Sequence, residues 1–133
     1  MTNAESSQLS RDDLLLASAF LTALTATLAA LFIGEVLGQM PCTLCWYQRI
    51  AMFPLVPILG IALWRGDGMA RLYALPLVVA GLALAGWHSG LAIGLIPEAV
   101  APCTQDGPSC SGPAQIILGI PIPYLSLAAF AAI

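Results

Sequence analysis

Two cysteines three positions apart, Cys42 and Cys45, stand in the stretch PCTLCWYQRI (residues 41–50), with Arg49 four positions after the second. If these residues form the first turns of a helix, the i,i+3 spacing brings the sulphurs within disulfide reach, and the i,i+4 spacing puts Cys45 and Arg49 on one face. Unsatisfied N–H groups and the dipole at a helix N-terminus stabilise a thiolate, and a nearby guanidinium adds to that effect. The pattern predicts a redox dithiol and a cation in one site, with the favoured thiolate at Cys45. A C-x-x-C also occurs in metal sites and structural turns, so spacing alone leaves those readings open. Arg49 is open to two readings as well: a functional cation within a span, or an anchor snorkelling to the headgroups.

The other cysteines, Cys103 and Cys110, enclose TQDGPS inside PEAVAPCTQDGPSCSGP (97–113), a Pro/Gly/Ser-rich stretch that reads as a loop. Such a loop can accept a visiting protein's thiol and swing inward, or it can simply be stapled by its own disulfide. Zinc held by all four thiolates is geometrically open, although an oxidising compartment disfavours it. His88 is the single histidine; it lies about 12 Å from the Ile96 end of its helix. It can donate to a ligand beside Arg49 or be buried against a neighbouring helix. Trp46, Tyr47 and Trp87 have the character of interface aromatics.

The elements that must position these groups are set by composition. Of 133 residues, 59% are hydrophobic and 8% charged, with mean hydropathy +0.91, against roughly 25% charged in soluble domains. This is a membrane composition. Lysine is absent, the basic residues are Arg11, Arg49, Arg65 and Arg71, and the net charge is −3, so no basic patch exists for nucleic acid. The opening MTNAESSQLSRDD lacks the basic n-region of a signal peptide, so the first apolar run reads as a retained span.

The chain reads as one all-α integral membrane domain over residues 1–133, a four-transmembrane-helix bundle with spans near 14–36, 46–64, 73–96 and 123–133 and outer loops at 37–45 and 97–122. Pro54, Pro57 and Pro76 fall inside spans and are expected to kink them. Pro121 and Pro123 place the start of the fourth helix near Pro123, leaving eleven residues. That is about 16 Å, an incomplete span that predicts a truncated fourth helix; the alternative is a kinked span from Gln115. Three of the four arginines flank one side, so both termini are expected in the cytoplasm and both cysteine pairs in one oxidising extracytoplasmic compartment.

With PCTLCWYQRI after the first span, GWHSG late in the third, a paired-cysteine loop and IPIPYLSLAAF after it, the chain resembles the bacterial disulfide bond formation protein B family, closest to its short-loop branch, also called BdbC. The resemblance runs from about Leu14 to the end. It implies a bacterial inner-membrane thiol oxidase that reoxidises a thioredoxin-fold (DsbA-like) dithiol partner and passes electrons to a membrane quinone, ubiquinone or menaquinone. By resemblance, the partner's thiol attacks Cys103, freed Cys110 attacks Cys42, and Cys45 is released facing the quinone, with Arg49 at a ring oxygen and His88 nearby. The shorter Cys103–Cys110 loop, Gln48 where the best-known branch carries an acid, and the short fourth helix depart from that pattern. Rival readings are a vitamin K epoxide reductase-like quinone oxidoreductase, whose C-x-x-C belongs near the end of the bundle, and a noncatalytic membrane scaffold held by disulfides or zinc.

Overall fold

The computed structural model describes residues 10–100, 103, 107–111 and 116–133. Helix α1 spans Arg11–Leu31 and continues into one π-helical turn, Phe32–Val36. Its start is fixed by Ser10, whose hydroxyl accepts the Asp13 amide while the Asp13 carboxylate accepts the Ser10 amide, a capping box. Helices α2 (Thr43–Met52) and α3 (Leu55–Arg65) form one broken span. The break falls at Pro54, which has no N–H to continue the ladder. Pro57 lies in the first turn of α3, where a missing donor costs little. Helix α4 runs Ala70–Ala92 with Pro76 inside it, and α5 runs Ile122–Ala132.

Three spans, Arg11–Val36, Thr43–Arg65 and Ala70–Ala92, are long and apolar enough to cross a membrane, and α5 adds a shorter apolar helix. Together they make an all-helical four-helix membrane bundle. Large apolar side chains such as Leu28, Ile61, Leu75 and Val79 point outward, as lipid-facing positions require. The fourth helix has the eleven residues and the proline start that the sequence reading gave it. The alternative of a kinked span from Gln115 does not hold, because residues 116–121 form two short strands and the helix begins at Ile122.

Small residues set the helix spacing. Helix α4 packs most heavily against α5 and α2, while α1 lies on α3. A Cβ placed on Gly81 would overlap the ring of Phe130, and one on Gly60 would meet Phe20 Cε2 at 3.0 Å. Each aromatic ring thus occupies the space a side chain would need, the close approach that membrane helices use in place of hydrophobic drive. At one end, Arg71 and Asp12 pair at 3.4 Å and link the starts of α4 and α1.

At the other end, α4 stops at Ala92, four residues short of the expected boundary, because the chain folds back there. Gly94 takes φ +73, and the Leu95 and Ile96 amides both return to the Gly90 carbonyl. A 3-10 turn at Glu98–Val100 follows. Before α5, strands β1 (Ile116–Ile117) and β2 (Ile120–Pro121) form a minimal hairpin. Its two turn residues, Leu118 and Gly119, have φ +51 and +82, as a two-residue type I′ turn demands.

Candidate thiol-exchange site

Helix α2 buries Leu44, Gln48, Ala51 and Met52, and α3 continues the core with Leu55. That stripe fixes the rotation of the first turns. Cys45, Arg49 and Met52, spaced i, i+4, i+7, are thereby turned toward a cavity between α1, α2 and α5. Cys42 is the N-cap residue, with its side chain accepting the Cys45 amide at 3.4 Å. The two sulphurs are 2.9 Å apart. The dithiol and Arg49 therefore share one helix end, as the spacing implied.

The groups that stabilise a thiolate gather on Cys42, one turn earlier than the sequence reading placed them. The thiol of Cys42 is held well below its ordinary range, first by the hydrogen bond from the Cys45 side chain and then by His88 and the Cys45 amide, with burial opposing. The physical reason is positional: the free N–H groups of a helix start face its N-cap residue, which is Cys42.

Arg49 is turned into the protein. Its Nη2 donates to the Ala30 carbonyl at 2.8 Å, and the guanidinium carbon sits 5.4 Å from the centroid of the Trp46 ring. Gly34 supplies the room, since a Cβ there would stand 3.1 Å from Nη2. Gly34 belongs to the π-helical turn, a distortion frequent at functional sites. Sequence reasoning missed this cradle; a glycine within an otherwise apolar α1 run was its one signal.

The cavity measures about 560 Å³, within the range of small-molecule sites. Its walls are mostly apolar, with Ile33, Phe53 and Leu125 among them, and Arg49, Cys45 and Gln39 supply polar atoms. Among the described residues the side-chain oxygen of Gln39 is buried without a partner, and a buried acceptor in that condition suits a hydroxyl donor. An apolar chamber with a guanidinium, a thiol and an orphan acceptor fits a quinone or quinol.

His88 does not line that chamber. It is fully buried on α4, its Nε2 3.0 Å from the Cys110 carbonyl oxygen and 3.8 Å from Cys42 Sγ, and its Nδ1 3.1 Å from Gln48 Nε2. Cys110 is bonded to Cys103, with Cα atoms 6.4 Å apart, and is itself buried while Cys103 is half-buried. Donor atoms of Cys42, His88 and Cys110 all lie within 4.8 Å of one another. The grouping has metal-ligand character, yet Cys110 Sγ is engaged by Cys103 and His88 Nε2 by a carbonyl, an arrangement of thiol exchange. Of the two readings of this loop, one that swings inward and one stapled by its own disulfide, the structure shows the disulfide formed and Cys110 already beside the dithiol. Trp46, Tyr47 and Trp87 are exposed on the helix surfaces.

A helical membrane bundle that buries a C-x-x-C against a loop disulfide defines a membrane protein built around a redox cysteine pair. The family model described as "Disulfide bond formation protein DsbB" matches residues 12–133. The "Probable disulfide formation protein" of Metapseudomonas resinovorans is 56% identical over 117 residues, covering 87% of this chain and 81% of the relative. The "Disulfide bond formation protein C" of Bacillus subtilis is 40% identical over 116 residues, covering 85% and 82%, and a "Probable disulfide formation protein" of Deinococcus radiodurans is 40% identical over 123 residues, covering 86% and 80%. No solved structure matches the chain at a significant level. The chain belongs to the DsbB family of disulfide bond formation proteins, in its BdbC-like group. Membership makes it a multi-pass membrane thiol oxidoreductase.

Proposed function

We propose that this protein reoxidises a thioredoxin-fold dithiol partner and delivers the electron pair to a membrane quinone, supporting disulfide formation outside the cytoplasm. One observation carries the reading: the dithiol has two faces. Cys42 meets the Cys103–Cys110 loop disulfide through His88, while Cys45 opens with Arg49 onto the apolar chamber. A dithiol between a protein-accessible disulfide and a lipid-side chamber is placed to relay electrons from one to the other.

The steps assigned to the chain are thiol–disulfide exchanges. A partner thiolate attacks Cys103 Sγ and forms a mixed disulfide, releasing Cys110 as thiolate. Cys110 then attacks Cys42 Sγ; the Cys42–Cys45 bond breaks and Cys45 leaves with the electron pair. A quinone, when bound, supplies two-electron acceptance. Arg49 binds and orients an oxygen-bearing ring, held by Ala30 and Gly34; Gln39 accepts a hydroxyl; the apolar walls exclude water from the Cys45 thiolate. His88 acts on the thiol-exchange side of the dithiol. With three arginines at the opposite end, both termini face the cytoplasm and the cysteines face outward, in a bacterial cytoplasmic membrane.

The test is quinone reduction by the purified protein given a reduced thioredoxin-fold partner and a short-chain ubiquinone or menaquinone. Turnover is expected in the wild type, to be lost in Cys45→Ala, and to need more quinone in Arg49→Ala. Folded wild-type protein without turnover on either quinone would overturn the reading.

A further inference from the structure

The hydrogen bonds around His88 have only one consistent set of directions. A backbone carbonyl can only accept, so the contact to the Cys110 carbonyl requires a proton on His88 Nε2. At the other side of the ring, Gln48 Nε2 lies 3.1 Å from His88 Nδ1 and 3.5 Å from the Leu84 carbonyl. Inside α4 the Leu84 carbonyl already accepts the His88 amide, and as an acceptor it can face only the nitrogen of the Gln48 side chain, which orients the amide and points its second N–H at Nδ1. Nδ1 therefore has to be bare. The chain of donors runs from the Gln48 amide to Nδ1, and from Nε2–H to the Cys110 carbonyl, with Cys42 Sγ 3.8 Å from the same nitrogen. Gln48 and His88 are both almost wholly buried, where a polar group left without its hydrogen bond is costly.

We propose that Gln48 is a positioning residue for thiol exchange: it fixes His88 as the neutral Nε2–H tautomer, and that N–H pins the Cys110 main chain against Cys42, so exchange between the two cysteine pairs needs no inward movement of the loop. With the opposite tautomer, a bare Nε2 would face the Cys110 carbonyl oxygen and the loop would lift. In the step served, Cys110 thiolate attacks Cys42 Sγ, a Cys42–Cys110 bond forms, the Cys42–Cys45 bond breaks, and Cys45 leaves as thiolate; electrons balance within the chain. The inference rests on the thiol-exchange reading above, but it concerns a step that uses neither quinone nor partner.

His88 being the single histidine, selective 15N-histidine labelling of the full chain in nanodiscs reports its tautomer directly. Exchange is read separately in a Cys103→Ala background, where free Cys110 faces the oxidised Cys42–Cys45 pair, by acid quench and mass spectrometry of the Cys42–Cys110 linkage. The wild-type ring is expected protonated at Nε2 and bare at Nδ1. Gln48→Leu is expected to mix the tautomers and slow formation of the linkage about tenfold, the size of one lost hydrogen bond in a buried network. Gln48→Glu, nearly isosteric, is expected to draw a proton onto Nδ1 and serves if the leucine variant does not fold. A wild-type ring with bare Nε2, or a Gln48 variant that folds and keeps both tautomer and rate, or one that changes tautomer without changing rate, would each overturn the proposal. Wild-type protein with the expected ring and rapid linkage but no quinone reduction would sink the proposed function and leave this inference standing.

Discussion

The two cysteine pairs are held in different ways. Cys42 and Cys45 sit on a helix start whose rotation is fixed by a buried stripe, so their separation follows from backbone geometry. Cys103 and Cys110 lie outside any helix or strand, and what locates Cys110 is a contact with a residue 22 positions earlier. The first pair is therefore set by local sequence and the second by tertiary contact. Rigidity near the chamber and dependence on a docked loop at the other cysteine pair are what the proposed relay asks for: one pair that meets a partner and one that keeps a fixed distance to a ligand.

The sharpest way to separate them is to move one pair without touching the other. Ile96 folds over Gly90, where an added Cβ would stand 2.8 Å from Ile96 Cδ1, and this fold-back leads the chain from α4 into the loop. Gly90→Leu forces overpacking there, with a cost of about 2 kcal/mol. If that cost falls on the docked loop, linkage of Cys110 to Cys42 is expected to slow about thirtyfold, while quinone binding is retained. Equal damage to both would show that the two pairs are not separately held.

The converse experiment acts on the inner pair. Gly34→Val pushes against the Arg49 guanidinium, which lies 3.1 Å from the position of the new Cβ. The quinone concentration for half-maximal turnover is expected to rise about tenfold, one hydrogen bond to a charged group, with the Cys42–Cys110 exchange unaltered. Stopped-flow quinone reduction at varied quinone checks it.

Titration probes what joins the two pairs. The folded pKa of Cys42 is depressed, so its thiolate persists as pH falls below the ordinary thiol range. The largest cause is the hydrogen bond from the Cys45 side chain. Removing it in Cys45→Ala is expected to move protonation of Cys42 to higher pH, followed by thiolate absorbance near 240 nm with the outer pair oxidised. An unchanged titration would mean that His88, and hence the outer side, sets the Cys42 thiolate.

The contrast also explains what could be read from sequence. The helical bundle, the break at Pro54, the Cys45–Arg49 face and the short fourth helix rest on local periodicity and proline chemistry, and were legible. The berth of Cys110 on His88, the Gly34 cradle and the wall that α5 adds to the chamber depend on pairs 15 to 80 or more residues apart, as in Gly34–Arg49 and Cys45–Leu125, and one sequence carries little trace of them. Gln48 is the instructive case. Its place on the stripe with Leu44, Ala51 and Met52 marks a polar residue aimed into a core, and such a residue needs partners. The placement of the thiolate erred by one turn because the helix start was treated as a region, whereas its donors converge on the N-cap residue.

The smallest expected effect tests whether the outer pair is held by anything other than His88. Ser111, next to Cys110, donates its hydroxyl to the Glu98 carboxylate, and its amide donates to the Ser109 hydroxyl at 3.2 Å. These contacts close the loop mouth between the 3-10 turn and Cys110. They are exposed, so water competes for both partners and the net worth of such a bond is about 0.5 kcal/mol. Ser111→Ala is therefore expected to slow the Cys42–Cys110 linkage about twofold, measured by the same acid quench, and to leave the 15N signature of His88 unchanged. A tenfold loss would move the anchor of Cys110 from the buried imidazole to the surface clasp, and the outer pair would then be held from outside the membrane domain.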